Sequence, residues 1–419
     1  MKKPLVSVLM GVQNLERFVG EAIESVLNQT YENFEFIILD DGSTDKTPEI
    51  IAEYAKKDIR IKPYYFKKKQ GISVGCNFTL ENAKGALIAR MDGDDLWHKE
   101  KLEKQVKVLN SNSEYGACFS WVEVIDETGE KLKPGESEYR EEIYKTKNRT
   151  QAEWLRTFFY QGCRVAHPTS LIRKEVFEKV GGYNQAYRQL LDYDLWVRII
   201  KKYQIYVIEE PLFYYRWFES GNVSSCTNEV MFRTYFEMFQ ILKSFFDDLS
   251  DNLFIEAFSN KFKVSGCYKH EELECEKAFI LLGFSFYHDI GKLAALELFS
   301  KLLNNKEYYK ILEKNYNFDT FCFHNIQSEP VFYHSSLEKW PEPFTEHVNF
   351  LKWRIELLES ENNEQKKDLM ESEGKVAYYN HELILAQKYI NDTAPELEYF
   401  RKNVLYHLYK RSIKKKSED

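Results

Sequence analysis

The 419-residue chain has only seven cysteines, Cys76, Cys118, Cys163, Cys226, Cys267, Cys275 and Cys322. Their number is odd, no two form a CxxC pair, and no histidine stands at zinc-ligand spacing, which excludes a disulfide framework or a structural zinc and points to reduced thiols in a cytosolic protein. Eighteen glycines and ten prolines are too few for a collagen-like or linker-like chain. The longest nearly apolar run, Ala278 to Tyr287, is about half the roughly 20 residues of a membrane helix, so no transmembrane span is expected. The opening Met1-Lys2-Lys3 and the apolar Leu5 to Val12 run into Gln13-Asn14-Leu15-Glu16-Arg17 without a small-residue cleavage site, so a buried first strand is expected and not a signal peptide. An excess of positive charge is also missing. The net charge of −8 argues against nucleic acid as the main partner, because phosphate neutralisation needs a basic face. Neither GxxxxGK[ST] nor GxGxxG follows any apparent strand, which leaves phosphate-loop and dinucleotide sites without support.

What is present describes a folded protein. Hydrophobic residues make up 43% and charged residues 30%, a globular balance, and the length suits two to three domains of about 150 residues each. From Leu5 to about Glu127, short β-rich runs alternate with amphipathic stretches, the pattern of an α/β fold with a mostly parallel sheet. Val6 to Met10, Phe34 to Leu39 and Ala86 to Met91 read as strands. Thr44 to Glu49, with a capping side chain and an early proline and acid, reads as a helix start. Beyond Leu155 follow helices near Lys174 to Val180 and from Asp192 to about Lys202.

Three acidic clusters fall at strand ends or a helix start, where open α/β sheets gather ligands. They are Asp40-Asp41-Gly42-Ser43-Thr44-Asp45, Asp92-Gly93-Asp94-Asp95, and Asp192-Tyr193-Asp194. A single cluster reads as helix capping, and for Asp45 capping is the expected role. Two at successive strand ends need a cation or donors to offset their repulsion. Asp-x-Asp suits Mg²⁺ or Mn²⁺, held by one or two carboxylates with positions left for phosphate oxygens. A further carboxylate across the reacting carbon would act as general base. Trp97 and Trp196 are expected in the core and not as ligand platforms, and His98 and His167 as structural or substrate-side residues, not metal ligands.

Val6 to Met10 with Asn14 and Glu16, Ala22 to Tyr31, the Asp40 to Asp45 cluster, Ala89-Arg90-Met91-Asp92-Gly93-Asp94-Asp95, His167-Pro168-Thr169-Ser170, Gly181-Gly182-Tyr183, Asp192 to Trp196 and Tyr215-Arg216 together resemble glycosyltransferase family 2, over about residues 4–225. The resemblance implies a GT-A (Rossmann-like) catalytic domain over residues 1–225 that binds a nucleotide-diphosphate sugar, a UDP-sugar in the first instance, and transfers the sugar with inversion to a glycan, lipid-linked glycan or polypeptide acceptor, as in polysaccharide biosynthesis. It implies that Val12, Asn14, Asp40, Asp41 and Asp92 contact the nucleotide-sugar donor, with Asp40 and Asp41 at base and ribose. By the same resemblance Asp94, with Asp92, holds Mn²⁺ or Mg²⁺, Asp192 is the catalytic base, and Arg216 approaches the diphosphate. The chain departs from the family pattern at Leu191, where Glu is common, at Gln13, where Tyr is common, and at Cys76, where Arg often precedes Asn77.

After Ser225 the β signal fades into an all-helical C-terminal region. Residues 226–340 are expected as a helical domain, in which Phe279, Gly283, Phe286, Ala295 and Phe299 fit either a tetratricopeptide-like unit or an ordinary packed hairpin. Residues 341–419 carry apolar heptads from Val348 to Ile390 that suit a dimerising coiled coil or one long helix lying on its own domain. The basic tail from Lys410 to Lys416 is either solvated or in peripheral contact with an anionic membrane face. The competing functional reading is a catalytically silent coiled-coil assembly protein. A nucleotidyltransferase is disfavoured because Gly11 stands alone at the first strand exit.

Overall fold

The computed structural model describes residues 3–132, 138–218, 227–266, 268–284 and 288–328. The heptads, the basic tail and Phe286 lie outside the described residues. The first part runs β1 (Val6–Val12), α1 (Val19–Leu27), β2 (Phe34–Asp40), α2 (Thr47–Lys57), β3 (Ile61–Tyr65), α3 (Ile72–Asn82), β4 (Leu87–Asp92), β5 (Leu96–Trp97), α4 (Lys101–Ser111), β6 (Tyr115–Ile125), α5 (Glu138–Tyr144), α6 (Gln151–Gln161), β7 (Leu171–Arg173), α7 (Lys174–Val180), α8 (Leu191–Ile200) and β8 (Gln204–Arg216). Helices α9 (Asn228–Lys243), α10 (Asp251–Phe258), α11 (His270–Leu282), α12 (His288–Leu303), α13 (Lys306–Tyr316) and α14 (Thr320–Ser328) follow.

The eight strands form one sheet in the order β3-β2-β1-β4-β7-β6-β8-β5. Strands β1 to β4 run parallel to one another, and β7 joins antiparallel to both β4 and β6. Strand β2 is buried along its whole length and β1 almost so, which is why both read as continuous apolar runs. The exception, Glu35 in β2, is accommodated because its Oε1 accepts from Ser7 Oγ at 2.6 Å and from the Lys84 amide at 2.7 Å. Register fixes the functional edge: Val12 of β1 pairs with Asp40 of β2, and Gly11 with Asp92 of β4. The first two acidic clusters therefore leave the same edge of the sheet side by side.

The helices after residue 226 share a core with the sheet's covering helices. Phe159 of α6 is fully buried, with ring centroids of Phe245, Phe246, Phe258 and Phe284 at 5.0, 5.4, 5.5 and 5.2 Å, distances typical of favourable aromatic pairs. Helices α11 and α12 form a hairpin in which Phe279 meets Phe299 at 5.0 Å and Phe318 at 5.5 Å. The described residues, which end at 328, accordingly belong to one compact unit. Among the described residues no helix is long and apolar enough to cross a membrane.

Lys101, at the start of α4, is fully buried. Its Nζ lies 4.0 Å from the Trp97 ring centroid and donates to Gln105 Oε1 at 3.0 Å. Burial pushes the ammonium down to about 7 from its ordinary 10.5. Between those values the unfolded chain binds the extra proton and the folded chain does not, so wild-type stability rises with pH across that window. We expect the melting temperature of wild type to gain on that of Lys101→Met as pH rises from 7 to 10; a difference that stays constant would show that Lys101 keeps its proton in the fold.

Candidate active site

The chain leaving β1 is tied to the loop leaving β2. The Asp41 amide donates to Val12 O at 2.8 Å. Asn14 has φ of 54°, a left-handed conformation that asparagine tolerates well; its amide donates to Ser43 Oγ and its Oδ1 accepts from the Thr44 amide, both at 2.8 Å. Asp45 accepts from the Thr47 amide at 3.0 Å and the Glu16 amide at 3.1 Å, so it caps the first turn of α2 and fastens the β1 loop as well. Val12 and Asn14, expected at the nucleotide, thus form a fixed rim.

The adjacent Asp40 and Asp41 are engaged differently. Asp40 Oδ2 accepts from the Ser43 amide at 3.2 Å, whereas its Oδ1 is buried with no hydrogen-bond partner among the described residues. Asp41 accepts from the Gln70 amide at 2.7 Å with one oxygen and the Gly71 amide at 2.9 Å with the other, so its carboxylate organises the loop after β3. Gly42, at φ of 71° with the Lys68 and Lys69 backbone pressed against it, has no room for a side chain. Register sets Tyr65 beside Asp40, and the residue is 46% exposed. Sequence reasoning missed Tyr65, whose only signal is an aromatic at the end of a short strand.

The second cluster concentrates charge in one turn. Asp92 pairs with the buried Arg90, Oδ1 to Nη2 at 2.6 Å. Burial and then the charge of Asp92 raise Asp94 to about 6. Asp95 is buried, and burial followed by its two acidic neighbours pushes it well above the ordinary range, while its Oδ1 accepts from the Arg216 amide at 2.7 Å. Gly93 packs against Val12 and Leu15, joining this turn to the β1 rim.

Arg216 differs from the expectation that it approaches the diphosphate. Its side chain is 1% exposed. Nε donates to Asp94 O at 2.7 Å, Nη1 to Glu127 O at 2.8 Å and Asp126 O at 3.3 Å, and Nη2 to Glu21 Oε2 at 2.8 Å. A guanidinium has five N–H donors in a rigid fork, and this set commits the fork to the protein, so Arg216 holds the backbone of the Asp94 turn.

Asp192 lies in the first turn of α8. Its Oδ1 accepts from the Tyr193 amide at 2.8 Å, and burial, with smaller contributions from the charges of Asp92 and Glu237, raises it to about 6. Asp194 is instead held by Arg198, with Oδ2 at 2.7 Å from Nη2. Asn77 receives the Tyr183 amide at 2.8 Å and donates to Tyr183 O at 2.8 Å, fixing the Gly181-Gly182-Tyr183 turn ahead of α8. His167 is buried, with Nε2 2.9 Å from the Tyr183 hydroxyl; burial holds it well below its ordinary value. Trp97 and Trp196 are buried, at 4% and 1% exposed.

Among the described residues no three His, Cys, Asp or Glu side chains form a closed metal cage. Asp92 and Asp94 supply hard carboxylate oxygens in a turn whose charge raises the proton affinity of Asp94. This donor set fits Mg²⁺ or Mn²⁺ bound by one or two carboxylates with phosphate oxygens completing the shell.

Residues 7–181 match the family described as glycosyl transferase family 2. The uncharacterized glycosyltransferase MJ1057 of Methanocaldococcus jannaschii is 37% identical over 221 residues, which cover 52% of this chain and 72% of that protein. The uncharacterized glycosyltransferase RT0329 of Rickettsia typhi is 29% identical over 231 residues, 54% of this chain and 68% of that protein. Among solved structures, S. aureus TarS 1–349 in complex with UDP-GlcNAc aligns with 74% of this chain and 91% of its own, at 18% identity and a TM-score of 0.49. The chain belongs to glycosyl transferase family 2 and is a glycosyltransferase.

The clamp role of Arg216 is testable. Arg216→Met strands the Asp94, Asp126 and Glu127 carbonyls and should destabilise the fold by about 1–3 kcal/mol or more, the cost of leaving buried polar groups unpaired. Unchanged denaturant stability with lost nucleotide affinity would return Arg216 to the diphosphate.

Proposed function

We propose that the crevice at the carboxyl edge of β1, β2 and β4 binds a nucleotide-diphosphate sugar and that Asp192 deprotonates the acceptor hydroxyl as the sugar is transferred with inversion. The observation that carries this reading is that Asp92 interacts through its charge with both Asp94, in its own turn, and Asp192, on a separate helix, the latter two raised to about 6. A structural acid at a helix start gains nothing from such company, whereas a general base works best with a pKa near the operating pH.

In this reading the unpartnered Asp40 Oδ1 and the half-exposed Tyr65 meet the base and ribose, and Asp41 acts by holding the loop at residues 68–71. Asp94, with Asp92, would hold Mn²⁺ or Mg²⁺ on the diphosphate; the cation supplies charge neutralisation of the leaving group. Arg90 pairs with the Asp92 carboxylate, and Arg216 holds the backbone carbonyl of Asp94. Asp192, not Asp194, is the base, because Asp194 is bound in an ion pair with Arg198. The acceptor is a hydroxyl of a glycan, lipid-linked glycan or polypeptide. UDP-sugars are the donors to try first.

Two outcomes follow. By calorimetry, UDP should bind wild type much more tightly with Mn²⁺ than without, and Asp94→Ala should lose that difference; equal affinity with and without the cation would remove the metal from the account. For the base, kcat/KM at saturating Mn²⁺ should climb as pH rises through about 6, because the free carboxyl of Asp192 must lose its proton to act. Asp192→Asn should lower turnover by roughly 10²-fold or more and flatten that limb. A limb that survives unchanged in Asp192→Asn assigns the base elsewhere.

A further inference from the structure

Glu237 lies on α9, outside the segment that matches the family, and is 2% exposed. Its carboxylate accepts from three consecutive backbone amides: Arg188 at 2.8 Å to Oε1, and Gln189 at 2.9 Å and Leu190 at 2.7 Å to Oε2. Those residues immediately precede α8, whose second residue is Asp192. An anion at a helix N-terminus is favourable, and a buried carboxylate is tolerated where charge-assisted hydrogen bonds satisfy it. The other end of α8 is tied to the same region: Lys201 Nζ donates to Ser244 O at 2.9 Å and Asp247 O at 3.0 Å, and Lys202 Nζ to Asp248 O at 2.8 Å. Both ends of the helix that carries Asp192 are therefore held by polar groups at or just beyond α9.

We propose that Glu237 is a positioning residue for Asp192, so that the helical region after residue 226 completes the active site. This rests on Asp192 being the base. Glu237 fixes the entry of α8 and with it the first-turn carboxylate. The donor crevice is built by β1, β2 and β4, whereas the hydrogen bonds of Glu237 run to residues 188–190, so its loss should impair the chemical step and spare nucleotide binding.

The test uses the full chain with Mn²⁺, UDP as the binding probe, and hydrolysis of UDP-GlcNAc, or of whichever nucleotide sugar raises the melting temperature most, as the turnover probe. Glu237→Gln keeps the size of the side chain, removes its charge and turns an amide group toward the three donors. Its kcat should fall roughly 10- to 100-fold, the scale of an ångström-sized misplacement, while the UDP dissociation constant and donor KM stay within twofold of wild type. A kcat within twofold of wild type overturns the proposal, as does parallel loss of UDP affinity, which would indicate a general structural role. Asp192→Asn is the control: if it hydrolyses donor normally, the base assignment fails, whereas an impaired Asp192→Asn beside an unimpaired Glu237→Gln defeats only the role of Glu237. Should Glu237→Gln not fold, hydrogen exchange on wild type decides: amides 188–190 as protected as those of α8 support the anchor, and rapid exchange there overturns it.

Discussion

Three aspartates within four residues, Asp92, Asp94 and Asp95, would repel one another strongly in a partly buried turn. Two buried guanidinium groups brace that turn. Arg90 comes from the strand that carries the cluster, pairing with Asp92 while donating to Leu9 O at 3.3 Å and Met91 O at 2.8 Å. Arg216 comes from the end of β8, distant in sequence, and grips the Asp94 carbonyl while its own amide reaches Asp95. Both act through rigid planar forks that lysine could not reproduce. Their charge offsets part of the repulsion and leaves Asp94 raised to about 6, a remaining deficit that suits a divalent cation.

Around that turn the site is assembled from elements with separate anchors. Parallel register brings Val12, Asp40 and Asp92 to one edge. Asp41 and Asp45 spend their carboxylates on backbone amides and give the loops shape. Asp192 is carried by a helix that is preceded by the Gly181-Gly182-Tyr183 turn, held by Asn77, and by residues 188–190, held by Glu237. Of the acidic residues gathered here, the ones bonded most fully to the protein are those least suited to touch substrate.

The sheet was legible because β1, β2 and β4 are buried apolar runs bounded by turn signals, and the acidic clusters because each follows a strand end or opens a helix. Helix α7 fell on the residues expected. What could not be read was partnership. Nothing near Arg216 in sequence announces Glu21, Asp94 or Glu127, and a Tyr-Arg pair at a strand end looks the same whether it faces phosphate or carbonyls. Glu237 was hidden more completely, since a lone acid among Met238, Ile241 and Leu242 on an amphipathic helix resembles an edge residue of the polar face. Asp40 and Asp41 are neighbours of identical chemistry, and only the Gln70 and Gly71 amides separate their roles. The helical region was legible as helices, but its shared core with the sheet's covering helices depends on Phe159, one aromatic among many.

In the proposed site, the sheet edge with Asp40, Asp92 and Asp94 and the helix with Asp192 together take one nucleotide sugar, with a cation at Asp94. Crystals grown with UDP and Mn²⁺ and measured at the manganese absorption edge address it directly. One strong anomalous peak is expected between the Asp94 carboxylate and the UDP diphosphate, with the uracil ring beside Tyr65 and Asp40. A manganese peak away from the Asp92 to Asp95 turn, or UDP bound outside the crevice at the ends of β1, β2 and β4, would contradict it.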